Sequence, residues 1–292
     1  SARSLWFGHV GKNMEALADA QRALELAMPG PPAQRAAQRL AFANLPVLQL
    51  DAALSAAKRS LSEAANVPLL RVRSLRTLGL VQLWKHQPSA VGTLESAADL
   101  CRQAGMLTRH PIALHDLGDA YRAFGRYADA REKYTQTIRL CEGLPLTSTL
   151  VLCRFKLAIC DVGEGRPRAV MGGMEELIAQ GVEVGLGLSP PFGALIIAWA
   201  HVRCRDLAAA LNAMRDVGPL ERIQIDPQVP EIMVDMVEGL VEGVLSNPSG
   251  VTHLKQVVQV VTEARDVFGG SGDVGRLQRA ETLLRRLPSI PV

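Results

Sequence analysis

The chain has 292 residues, of which 48% are hydrophobic, 21% charged and 4% aromatic, with a formal net charge of +3. That much apolar material builds a substantial core, which excludes a disordered segment or a disulfide-stapled miniprotein. The five cysteines are odd in number and lack a CxxC spacing, which argues against a disulfide framework or a zinc site and fits a reducing, cytoplasmic compartment.

Glycine and proline punctuation divides the chain into paired helices. The first residues, Ser1-Ala2-Arg3-Ser4, carry neither a Met start nor a signal pattern and read as the beginning of a piece of a longer protein. A first helix holds Leu5-Trp6-Phe7 and ends at a turn, Gly11-Lys12-Asn13. Pro29-Gly30-Pro31-Pro32 stops the next helix, and 33–45 and 52–65 then form a pair, with Pro46 at the end of its first member. Further pairs are expected at 69–84 with 89–104, 112–124 with 127–141, 150–162 with 168–179, 192–202 with 207–217, and 231–245 with 251–268. The run 181–191 holds three glycines and two prolines; without a Lys-Ser/Thr or a GxGxxG register it reads as a long inter-repeat loop and not a phosphate loop. Leu254, Val257, Val258, Val261, Ala264 and Phe268 share one face of the last paired helix. The stretch 269–272 is a flexible joint, 273–287 a capping helix with arginines on its exposed side, and 288–292 a fraying tail. The longest strongly apolar stretch, Gly193 to Ala200, is followed at once by His201, Arg203 and Arg205 and is far shorter than the roughly 20 residues that span a bilayer.

These pairs repeat. The segment 16–24 returns at 53–61, an offset of 37 residues, with a small residue at four corresponding places. Weaker copies start at Ala90, Ala130, near Ala169 and Val170, and at Ala210, at steps of 37 to about 40. A lone helical hairpin cannot bury its apolar stripe, so stacked units must share a continuous core. In the clearest unit, Gly118 and Ala130 are small where two helices approach closely, while Leu114, Leu117, Tyr121 and Tyr134 fill the space beside them and Gly125 ends the first helix.

That unit, from Pro111 to Gly143, resembles a tetratricopeptide repeat. Leu114, Leu117-Gly118, Ala120-Tyr121, Gly125, Tyr127, Ala130, Tyr134 and Ile138 fall at the spacings of that family, supported by Phe7, Gly11, Ala16, Ala20 and Ala23 in the first unit, Leu78-Gly79 in the third and Gly165 in the fifth. The closing proline is mostly absent, and the period exceeds the family's usual ~34, as in divergent arrays of bacterial signalling ATPases and transcription regulators. The resemblance implies an all-α, right-handed superhelical solenoid of stacked antiparallel helix pairs. A single domain over 1–292 is expected, with repeats at 1–30, 33–67, 68–108, 111–146, 148–182, 190–220 and 229–268 and a capping helix at 273–287.

Chemistry is hard to find. No GxSxG, HExxH or Cys–His arrangement occurs, and His9, His86, His110, His115, His201 and His253 are scattered, so neither a catalytic nor a metal site is expected, nor a cofactor. Cys153 and Cys160 share a helix face and read as small buried hydrophobes over a redox pair. Glu175-Glu176 and the set Asp235, Glu238 and Glu242 look like paired carboxylates, but those three, at i, i+3, i+7, read as a solvated stripe over a general acid and base.

Charge is uneven: residues 1–146 hold 18 Lys and Arg against 12 Asp and Glu, whereas 147–292 hold 14 against 17. The resemblance places the first helix of each unit along a concave groove, and those helices carry Arg35 and Arg39, Arg73 and Arg76, then His115 and Arg122. Such a basic ladder suits a partner protein or peptide with an acidic or phosphorylated segment. The Lys and Asn set by which the family clamps chaperone tails is missing. With few aromatics placed for base stacking, nucleic acid is disfavoured. The expected function is therefore a non-enzymatic interaction scaffold in a larger bacterial signalling protein; the alternative is the ligand- or peptide-sensing domain of a transcription regulator.

Overall fold

The computed structural model describes residues 10–45, 49–186, 189–217, 229–246, 253–270 and 274–288. Every regular element among them is a helix, and the chain divides into two compact units, Ser1–Thr149 and Leu150–Val292.

The first unit holds α1 (Val10–Glu25), α2 (Pro31–Asn44), α3 (Leu50–Ser62), α4 (Pro68–Trp84), α5 (Ser89–Gln103), α6 (His110–Ala123) and α7 (Tyr127–Cys141). Short connections make α2 and α3, α4 and α5, and α6 and α7 antiparallel hairpins. The repeat positions are the core positions. Ala53, Ala90 and Ala130 are fully buried on the second helices, and one turn later so are Ala57, Leu94 and Tyr134. A further turn on, Ser60, Ala97 and Thr137 are buried as well. Glycine on the first helix answers bulk on the second: a Cβ on Gly79 would lie 2.5 Å from Leu94 Cγ. Gly125, at φ 71°, closes α6; its N–H donates to Arg122 O and that of Arg126 to Tyr121 O, both at 2.9 Å, the two bonds of a Schellman cap.

The second unit holds α8 (Thr147–Gly163, whose first residues precede the division), α9 (Arg168–Met171), α10 (Met174–Glu183), α11 (Ser189–Arg203), α12 (Leu207–Val217), α13 (Val229–Ser246), α14 (Leu254–Gly270) and α15 (Val274–Arg286). One hydrophobic core joins these elements, with Met233, Met236, Val237, Leu240 and Val241 of α13 buried in it. Leu254, Val257, Val261, Ala264 and Phe268 of α14 are buried on one face as expected, with Val258 at its margin. Ala280, Leu283 and Leu287 seat the last helix on this core.

Four sequence expectations need correction. The joint expected at 269–272 begins later, since Gly269 and Gly270 are the last residues of α14. Residues 11–13 are the first turn of α1 and not a loop. The helix expected at 168–179 is broken by Gly172-Gly173 into α9 and α10, because neither glycine favours helix and each has open space where a side chain would pack. The long loop expected at 181–191 is short: α10 continues to Glu183 with Gly181 buried, and Pro190-Pro191 lie in the first turn of α11, where the missing N–H costs nothing. Leu5, Trp6, Phe7, His9, Pro46, Val251 and residues 289–292 lie outside the described residues, as do 187, 188, 271 and 272.

Candidate functional site

The arginine-bearing helices are α2, α4 and α6, and polar side chains set their register. Gln34 Nε2 donates to Ser74 Oγ at 3.0 Å and Gln38 Nε2 to Thr77 Oγ1 at 3.0 Å, tying α2 to α4. Ser60 of α3 joins from below, its hydroxyl 2.8 Å from that of Ser74. Arg76 Nε donates to Asp116 Oδ2 at 2.6 Å, tying α4 to α6. Buried polar groups that find partners only in one alignment fix that alignment.

The predicted arginines of α2 and α4 lie at or next to these ties. Arg35 and Arg39 follow Gln34 and Gln38 and are exposed, and Arg73 precedes Ser74 and is half-buried. Together α2 and α4 carry five arginines, at positions 35, 39, 71, 73 and 76, and no Asp or Glu. Arg76 is the exception to free presentation, because its Nε is committed to Asp116, whose side chain is 8% exposed.

His115 and Arg122 belong to a different environment. The Arg122 guanidinium is 1% exposed, so it is no surface contact for a partner, contrary to the expectation from sequence. Its Nε donates to Tyr134 Oη at 3.1 Å and its NH2 to Asp119 Oδ1 at 3.1 Å, while the Tyr134 hydroxyl donates to the same Asp119 oxygen at 2.7 Å. A buried cation needs an anion and hydrogen bonds to offset its lost hydration, and Asp119 and Tyr134 supply them. His115 is half-buried, with Nδ1 3.4 Å from Asp116 and 3.8 Å from Asp119. The sequence held the signal that was missed: Asp116, Asp119 and Arg122 stand three apart along one helix, the spacing of intrahelical ion pairs.

Arg109 was also missed. It is the residue before α6 and is half-buried, with no ion-pair partner among the described residues. Burial, then the like charges of Arg73 and Arg76, push its guanidinium below the ordinary value.

In the second unit the carboxylate stripe on α13 is paired and not merely solvated. Asp235 accepts from Trp199 Nε1 and lies 3.6 Å from Arg203, Glu238 accepts from Arg279 with one bond at 3.1 Å, and Glu242 accepts from Arg286 at 2.6 Å. These carboxylates anchor neighbouring helices. Cys153 and Cys160 are buried and outside any disulfide. No group of three or more His, Cys, Asp or Glu among the described residues could hold a metal ion. No helix among them is long and apolar enough to cross a membrane.

Comparison with solved structures decides the fold. The structure superposes on a Rap protein complexed with Competence and Sporulation Factor at a TM-score of 0.61, with 10% identity, covering 92% of this chain and 78% of that one. The chain has a tetratricopeptide-like fold. The apo form of RapI gives a TM-score of 0.53 at 11% identity over 94% of this chain and 88% of that one. A kinesin light chain from Podosopora anserina with nearly identical TPR-like repeats gives 0.52 at 18% identity, covering 65% of this chain and 95% of that one. No protein-family model matches the sequence, and no curated protein matches it. The likeness is one of fold, carried by tetratricopeptide-like helix pairs.

Proposed function

We propose that this tetratricopeptide-like array is a non-enzymatic interaction domain that receives an acidic segment of a protein or peptide on the α2–α4–α6 face of its first unit. The observation that carries the reading is charge segregation: two adjacent helices bear five arginines and no carboxylate. Helices whose charge served only solubility would mix both signs, as α7 does with Asp129, Glu132, Arg131 and Lys133. Arg35, Arg39 and Arg73 supply guanidiniums for bidentate capture of carboxylates, with Arg76 holding the register and His115 flanking it. A preformed helical surface loses little conformational freedom on binding, which leaves the arginines to determine which partner is held. The bacterial signalling and cytoplasmic setting belongs to the same proposal.

A second reading, sensing of a peptide or small ligand within a transcription regulator, is favoured by the neighbour of this fold that is complexed with Competence and Sporulation Factor. Affinity capture from the native lysate separates the two, with Arg35→Glu, Arg39→Glu and Arg73→Glu combined in one variant. Arg76 is left intact because reversing it would set a carboxylate against Asp116. A protein held by the wild type and lost by the variant supports the scaffold. Equal capture by both contradicts it, and a metabolite-dependent rise in Tm then favours sensing.

A further inference from the structure

The arginines of α4 do more than continue a ladder. The Arg76–Asp116 bond fixes α4 beside α6 with residue 76 level with residue 116. The bonds Gln34–Ser74 and Gln38–Thr77 set the preceding pair of helices to almost the same offset. In that register Arg73, one turn before Arg76, lies toward the beginning of α6, where Arg109 is placed. Arg109 and Arg73 have no ion-pair partner among the described residues, and both are half-buried. Among the described residues the carboxylate bonded to this group is Asp116, through Arg76, while Asp119 is engaged by Arg122 and Tyr134. Arg73, Arg76 and Arg109 carry three positive charges against the single negative charge of Asp116, which is bonded to Arg76, and this leaves an excess of two.

An excess of two is poorly matched by a single carboxylate and well matched by a phosphate monoester, which carries about −1.5 to −2 at neutral pH and three acceptor oxygens. Guanidinium forks meet such oxygens two at a time, and partial burial strengthens the attraction by excluding water and salt. Like charges held near one another repel, so an anion that fits among them is favoured by relief of that repulsion as well as by its own bonds.

We propose that Arg73, Arg76 and Arg109 form a binding site for a phosphate monoester dianion, with Asp116 orienting Arg76. This rests on the reading of the α2–α4–α6 face as the binding surface and adds the class of group that it selects. The ligand is a phosphorylated side chain or a free phosphate, which share this chemistry.

The test is calorimetric titration of the full chain with a capped alanine peptide containing one phosphoserine, with the same peptide carrying Ser or Glu, and with inorganic phosphate. The site predicts that phosphoserine binds about tenfold or more tightly than Glu, and that Arg109→Gln or Arg73→Gln removes this preference. Arg139→Gln, at an exposed position of α7, keeps it. Circular dichroism confirms that each variant is folded. Tighter binding of the phosphopeptide than of inorganic phosphate assigns the source to a peptide; equal binding assigns it to a free phosphate. No preference over Glu, or a preference that survives Arg109→Gln, overturns the site.

A glutamate-rich peptide without phosphate keeps the two proposals apart. If it binds through Arg35 and Arg39 while the phosphate preference is absent, the phosphate site falls and the binding face stands. If the phosphate preference holds while that peptide ignores Arg35→Glu with Arg39→Glu, the site stands and the wider face falls.

Discussion

A Cβ added to Gly118 would lie 2.6 Å from Cε1 of Tyr134, so α6 and α7 approach one another only because residue 118 has no side chain. The Tyr134 ring is fully buried and its hydroxyl is bound to Asp119, so it cannot swing aside. Gly118→Ala is therefore expected to destabilise the chain by about 1–3 kcal/mol through overpacking. Gly92, within α5, has open space around the same position, and Gly92→Ala is expected to add about 0.5–1 kcal/mol through helix propensity. Urea unfolding of the two variants checks the opposite signs; a neutral Gly118→Ala would contradict the close approach.

Arg122 and Asp119 form a buried pair that depends on both members. Removing one leaves an uncompensated charge, so Arg122→Ala or Asp119→Ala is expected to cost about 3–5 kcal/mol. Arg39→Ala, at an exposed position, should stay within about 0.5 kcal/mol of wild type. Thermal unfolding distinguishes the two arginines, and comparable losses would contradict the division between buried and presented guanidiniums.

The capping helix α15 is held to α13 by apolar burial and by Arg279–Glu238 and Arg286–Glu242. These pairs are largely exposed, so each contributes no more than about 1 kcal/mol. Reversing both acids, Glu238→Arg with Glu242→Arg, is expected to raise amide exchange in α15 ahead of global unfolding, more at low salt than at high. Exchange in α15 that ignores both the substitutions and salt would show that the apolar contacts alone hold the helix.

Burial, reinforced by a hydrogen bond to Glu95 and its charge, pushes the Tyr121 phenol from 10.0 up to about 12. A raised folded value favours the protonated form, so its contribution to stability is complete below pH ~10 and is lost as the pH rises through ~12. The stability difference between wild type and Tyr121→Phe should be constant below that window and shrink within it. Denaturant titrations across the range check this, and a difference that stayed level through pH 12 would contradict it.

The fold was legible because close packing leaves a periodic trace. Ala53, Ala90, Ala130 and Ala210 recur at steps of 37, 40 and 80 and are all fully buried, since little bulk fits where one helix crosses another. The run 181–191 reads as a loop because composition cannot separate a proline that opens a helix from one in a loop; Pro190 and Pro191 do the former. On α2 and α4, Arg35, Arg39 and Arg73 were legible as charges on successive first helices. The fate of Arg122 was not, because burial depends on Tyr134 of the facing helix as well as on Asp119 of its own. Arg109 escaped notice because it precedes its helix and meets Arg73 and Arg76 only through tertiary register.

The most direct measurement is hydrogen–deuterium exchange of the full chain with and without its captured partner. The account predicts new protection concentrated in α2, α4 and the beginning of α6, lost when Arg35, Arg39 and Arg73 are reversed. Protection confined to α3, α5 and α7, or to the second unit, would contradict it.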